Sequence, residues 1–190
     1  FPMEGGNWIV TLVGVHGHYL KSDDPQDFLE FARGLDRPEL YGLISRATPL
    51  TPVRRLRFPG QQRRRMESWQ AAPGGMLALG DSICSLNPLY GQGMTVCALE
   101  ASVLDQGFKK SANSPLDSTF VRDYFKSVAP VVDTAWLLAT SSDFLYPETT
   151  GKRPFFGPLI GWYIARLLRA SSTSPAVLLR FLEVLHFTRP

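Results

Sequence analysis

The chain has 190 residues, 44% hydrophobic and 19% charged, which excludes wholesale disorder and leaves room for one sizeable domain or two small ones. A net charge of +3 and a pI near 9.0 are mildly basic and do not by themselves imply a nucleic-acid partner. Two cysteines, Cys84 and Cys97, have no CxxC or Cys/His spacing around them. They point to neither a metal site nor a disulfide framework, so the cytoplasm is the default compartment.

The chain opens on Phe1, without a signal-peptide pattern, and enters a strand-like run at once, which reads as a fragment of a longer protein. Trp8 to Val15 (WIVTLVGV) is rich in β-branched residues and predicts a strand. In DDPQDFLEFARGL, Asp24 can cap a helix and Pro25 suits its first position, with Phe28, Leu29, Phe31 and Ala32 as the apolar stripe. Pro38 opens a second, short helix. TPLTPVRRLRFPG is too proline-rich for a helix and predicts extended chain with an edge strand. MLALG, residues 76 to 80, is a short apolar run expected as a strand buried on both faces.

Met94 to Gln106 carries Val96, Leu99, Val103 and Leu104 at helical spacing, with Gly107 as the expected stop. Asp117 or Ser118 can cap the next helix, Phe120 to Leu138, which is expected to kink or break at Pro130. Two further apolar helices are predicted at Phe155 to Leu168 and Pro175 to Phe187. No run reaches the roughly 20 apolar residues of a membrane span. The order is strand, helices, strand, then helices: mixed α and β, with most of the sheet encoded early or elsewhere.

The chemistry concentrates in residues 80 to 94, GDSICSLNPLYGQGM. Asp81 stands at the carboxyl end of the expected strand, where ligands of open α/β sheets bind. Its carboxylate can accept hydrogen bonds from sugar-like hydroxyls. Pro88 stiffens the loop, and Gly91 and Gly93 let the main chain lie close against a flat ligand. The helix starting there aims free N–H groups and a positive dipole end at the same place. The plainer alternative is a helix-capping turn with glycines for geometry.

Gly80-Asp81, Asn87-Pro88 and Gly91-Gln92-Gly93-Met94 resemble the second flavin-binding motif of FAD-dependent monooxygenases of the aromatic-hydroxylase type. The likeness extends over residues 63 to 104 as a strand–loop–helix unit. It implies a partial Rossmann-like FAD/NAD(P)-binding fold. Residues 1–70 would end a substrate-binding domain, 71–110 would carry the flavin motif, and 111–190 would form a helical C-terminal region. It further implies that Asp81 holds a ribityl hydroxyl, that Pro88 and Gly91 lie near the flavin ring, and that the backbone of Gly93 and Met94 faces its pyrimidine edge. Gly80 and Gln92 complete the cofactor-binding set, and no catalytic residue is assigned. The implied reaction inserts one oxygen atom from O2 into a small hydrophobic organic substrate, with NAD(P)H as reductant. Two departures stand out. Cys84 occupies the position of the histidine in the common Gly-Asp-Ala-Ala-His form, and no Gly-x-Gly-x-x-Gly turn is present.

Other readings attach to other stretches. A cofactor-free flavoprotein remnant acting as an interaction module is the alternative function. Six arginines between Arg54 and Arg65 read as a solvated, ion-paired face or, in the flavoenzyme reading, a contact to nicotinamide or flavin phosphates, since the aromatic interleaving of a nucleic-acid module is missing. His16 and His18 read as loop residues, His186 as packed or surface, and the cysteines as small core fillers. FFGPLIGWYIARLL reads as a core or interface helix, for a separate N-terminal half or a second copy, or as a helix in weak contact with a membrane surface.

Overall fold

A computed structural model describes residues 1–111, 116–153 and 155–188. The chain forms two compact units, Phe1–Phe58 and Pro59–Pro190.

In the first unit, helix α1 (Pro25–Arg33) starts as its sequence dictates: Asp24 Oδ1 accepts from the Gln26 amide at 2.8 Å and Pro25 takes the first position. Its Ala32 is fully buried. Helix α2 (Pro38–Ile44) packs beside it. Arg33 joins the two by donating to the Tyr41 hydroxyl at 2.5 Å, with its guanidinium 4.8 Å over the Tyr41 ring. The strand expected at Trp8 to Val15 is absent. Among the described residues that run pairs only at Trp8, in a single bridge to Pro2, and Trp8, Ile9 and Val13 are exposed. β propensity reports fit to a half-buried pleated surface, and this run meets no neighbouring strand to supply one.

The second unit is built on helix α4 (Ser118–Asp143), a 26-residue spine. Val121, Phe125, Val128, Val132, Ala135 and Ala139 recur at alternating four- and three-residue spacing, and all are buried. Asp117 caps the helix through the Phe120 amide at 2.8 Å. Pro130 neither ends nor divides it, because it sits on the exposed face, where water can satisfy the carbonyl it leaves without a donor. Helix α3 (Gly93–Lys110) crosses α4 and runs past Gly107. That glycine marks a close approach instead of a stop: a Cβ there would lie 3.3 Å from Phe120 Cζ. Helices α5 (Gly157–Ser171) and α6 (Pro175–Leu185) complete the succession, with α5 packed on α4 and α6 on α5.

The described sheet is one antiparallel pair, β1 (Gln62–Arg63) with β2 (Cys84–Ser85), Gln62 opposite Ser85. Mixed α and β therefore holds only coarsely, in a mostly helical chain. MLALG is not a strand. Leu77 and Ala78 pack on the core, but Met76 and Leu79 are exposed, and the backbone bonds go to side chains instead of a ladder. Tyr124 donates to the Ala78 carbonyl at 3.1 Å, and the Gly80 amide donates to Glu100. Residues 59 to 70 belong to this unit: β1 pairs inside it, and the turn Met66–Ser68 packs on α4. The side chain of Arg63, far from solvated, is 3% exposed and ion-paired to Glu67 at 2.9 Å and Asp133 at 3.0 Å.

Candidate functional site

The loop from Gly80 to Met94 is two short 3-10 turns, Gly80–Ser82 and Pro88–Tyr90, joined by β2 and followed by α3. Gly80 has φ +61° and a Cβ there would meet Cys97 Sγ at 3.2 Å, so the turn requires glycine on both counts. Its N–H is committed to Glu100 Oε2 at 2.5 Å. Asp81 is exposed. Its carbonyl accepts from Arg64 at 3.3 Å and its Oδ2 from Ser85 Oγ at 3.4 Å, which leaves Oδ1 toward Gly93. A Cβ at Gly93 would stand 4.0 Å from that oxygen.

Asn87 starts the second turn, its Oδ1 accepting from the Leu89 amide at 3.1 Å, with Pro88 at the first position. Gly91 closes the turn at φ +65°, and nothing lies within 4 Å of a Cβ built on it. The first bond of α3 runs from the Val96 amide to the Gln92 carbonyl, and no side chain caps this end. The amides of Gly93, Met94 and Thr95 therefore have no acceptor within the helix. Met94 is exposed. Gln92 is not: it is 1% exposed, its side-chain amide donates to the Leu185 carbonyl at 3.4 Å and its backbone carbonyl accepts from the Val96 amide, so it is turned away from any outside ligand.

The back of the loop is fastened to the end of α4. Asp143 Oδ1 accepts from Tyr90 Oη at 2.6 Å and Asn87 Nδ2 at 3.1 Å, and its Oδ2 accepts from Gln61 Nε2 at 2.5 Å. Burial raises the Tyr90 pKa, and the bond to Asp143 adds to it, so this phenol stays a donor. Glu100 is fully buried, with Oε1 unpartnered. Burial raises its pKa most, against the Gly80 amide and Arg63, which lower it. Cys84 lies against the core and burial pushes its thiol up to about 11, which fits a packing role.

Of the residues singled out from sequence, Asp81, Pro88, Gly91, Gly93 and Met94 share one accessible loop, whereas the side chain of Gln92 and the amide of Gly80 turn inward. Sequence reasoning assigned nothing to Glu100, Asp143 or Gln61, and no local pattern marks them, since each acts on residues 20 or more positions away. A surface cleft of about 350 Å³ in the first unit, with His18 and Glu30 among its walls, contains none of the loop residues. Among the described residues no group of acidic, histidine or cysteine side chains is arranged to hold a metal ion.

No protein-family profile matches the chain. It is 25% identical over 189 residues to a Mycobacterium tuberculosis protein called Protein Rv3254. The match covers 95% of this chain and 38% of that relative's length, so the chain corresponds to less than half of the protein it resembles.

Proposed function

We propose that residues 80 to 94 form one wall of an FAD site in an oxidoreductase, a monooxygenase acting on a small hydrophobic organic molecule with NAD(P)H and O2. The observation that carries the reading is the accessible side of the loop. A free carboxylate oxygen on Asp81, two glycines and three amides without helical acceptors lie together there, while the opposite side is bolted to α4. The residues fit the group: without a Cβ at 93 or 91 the main chain is bare beside Asp81, where a Cβ at 93 would stand 4.0 Å from its Oδ1 and one at 91 would project into open space. Asp81 would take ribityl hydroxyl donors. The Gly93 and Met94 amides and the helix dipole would favour negative charge on the ring's pyrimidine edge. Bound flavin supplies the electron transfer and oxygen chemistry, and the chain's part is to orient the ring. In this reading the dinucleotide-binding turn and the rest of a Rossmann-like fold come from outside residues 1–190, and the compartment is the cytoplasm.

The test is titration of FAD into the full-length protein, followed by flavin absorbance and fluorescence. The expected result is stoichiometric binding that Gly93→Val weakens by at least about tenfold, since a branched side chain there blocks close approach. A protein that stays colourless, or one that binds FAD equally well with valine at 93, overturns the reading. The first result would leave a cofactor-free interaction module.

A further inference from the structure

Helix α5 half-buries Ile160, Ile164 and Leu167 but leaves other large apolar side chains outside. Gly157, Gly161 and Ser171 are buried, whereas Leu159, Trp162 and Tyr163 are 63%, 53% and 59% exposed. The inward side is set by close packing on the end of α4 and on Leu145 just past it: a Cβ at Gly161 would come within 2.7 Å of Leu145 Cδ2 and 3.4 Å of the Ser141 carbonyl oxygen. Only a small residue lets the two backbones approach this far. Leu159, Trp162, Tyr163 and Arg166 then fall at i, i+3, i+4 and i+7, one outward face, and Arg169 continues it. Arg166 lies with its guanidinium 4.7 Å over the Trp162 ring. Phe155 and Phe156, just before the helix, add two exposed rings.

The charge is equally one-sided. Between Glu148 and Glu183 the sequence has Lys152, Arg153, Arg166, Arg169 and Arg180 and no Asp or Glu; Arg180 is paired with Glu183 at 2.8 Å, while Arg166 and Arg169 stand on the outward face of α5. A second copy of the chain, docked symmetrically through this face, would bring Arg166 and Arg169 against themselves. A lipid surface with anionic headgroups answers both features, taking the aromatic face at the acyl boundary and the guanidinium groups at the phosphates. At 15 residues α5 is about 22 Å long, and no helix among the described residues is long and apolar enough to cross a membrane, so the helix would lie flat. A cleft of about 270 Å³ at its head, with Phe144, Leu145, Pro158 and Trp162 among its walls, extends the apolar contact.

We propose that α5 seats the protein on an anionic membrane surface, with Leu159, Trp162 and Tyr163 in the interface and Arg166 and Arg169 against headgroup phosphates. This stands apart from the flavin reading, and its test needs no cofactor. The full-length protein is sedimented with phosphatidylcholine vesicles, with or without about 30% phosphatidylserine. The expected result is at least about tenfold stronger partition to the anionic vesicles, reversed by salt of about 0.5 M. Arg166→Gln with Arg169→Gln removes the anionic preference, and Trp162→Ser with Tyr163→Ser removes partition to both vesicles. Because all four side chains are exposed, far-UV circular dichroism and the urea midpoint stay at the parental values. Equal partition to the two vesicles overturns the proposal, as do variants that bind like the parent. So does a concentration-dependent dimer that Trp162→Ser with Tyr163→Ser dissolves, which would assign the face to a second copy.

Discussion

Replacing Asp143 tests how the loop is held. Three donors converge on this carboxylate: Tyr90 at 2.6 Å, Asn87 at 3.1 Å and Gln61 at 2.5 Å. A hydrogen bond to a charged group contributes about 1.5–3 kcal/mol, so simple addition for Asp143→Ala would exceed 4 kcal/mol. The sum overstates the loss, because Asp143 is only half-buried and water can reach part of the vacated space. About 3 kcal/mol is the reasoned figure, at the low end for breaking a buried charged contact. For a urea slope of about 2 kcal/mol/M, the midpoint drops by about 1.5 M. Asp143→Asn keeps one acceptor and costs about half as much. A double-mutant cycle with Tyr90→Phe should give a coupling of about 1 kcal/mol, and hydrogen exchange should report faster exchange at the Leu89, Tyr90 and Gly91 amides, all bonded within this turn. An additive cycle, or unchanged exchange at those amides in Asp143→Ala, would refute the argument that Asp143 holds the loop.

Two other substitutions probe the other end of the loop. Glu100 has a pKa raised mainly by burial from its ordinary 4.5, so the fold binds its proton more tightly than the unfolded chain does. Stability is then lost as pH rises from about 4.5 through the folded-state pKa, and Glu100→Gln, which can still accept from the Gly80 amide, should escape that loss. Urea midpoints should favour the variant increasingly between about pH 4.5 and pH 8, and a pH-independent difference would count against the assignment. Gly80→Ala should cost about 2 kcal/mol, from its left-handed backbone and the 3.2 Å approach to Cys97 Sγ, against about 1 kcal/mol for Gly91→Ala, where the φ is similar and the space open. Equal losses in denaturant titrations would show that the Cys97 contact contributes nothing.

Local signals in the sequence were reliable where the structure is local. Asp24 with Pro25, Pro38, and Asp117 each start the helix they predict, because a cap and its amide lie within three residues of each other. Gly91 likewise takes an unusual dihedral, φ +65°, as a glycine in that loop allows. Strand expectations failed because a strand is a relation between segments. Among the described residues WIVTLVGV meets no neighbouring strand, and in MLALG the partners of a ladder are replaced by Tyr124 and Glu100, donor and acceptor from distant helices. Gly107 and Pro130 misled for a related reason. Gly107 reads as a stop and Pro130 as a kink or break, but facing Phe120 and facing solvent respectively, both are accommodated inside helices. Asp143 was illegible because its three partners lie 53 to 82 positions away.

The final turn of α4 and the chain just past it carry two attachments within residues 141 to 145. Asp143 grips Asn87 and Tyr90, while the Ser141 carbonyl and the Leu145 side chain form the seat for Gly161. Any tilt of the seated helix must push on the same turn that fixes the loop's height. Load placed on one mounting is thereby transmitted to the other within a single helical pitch.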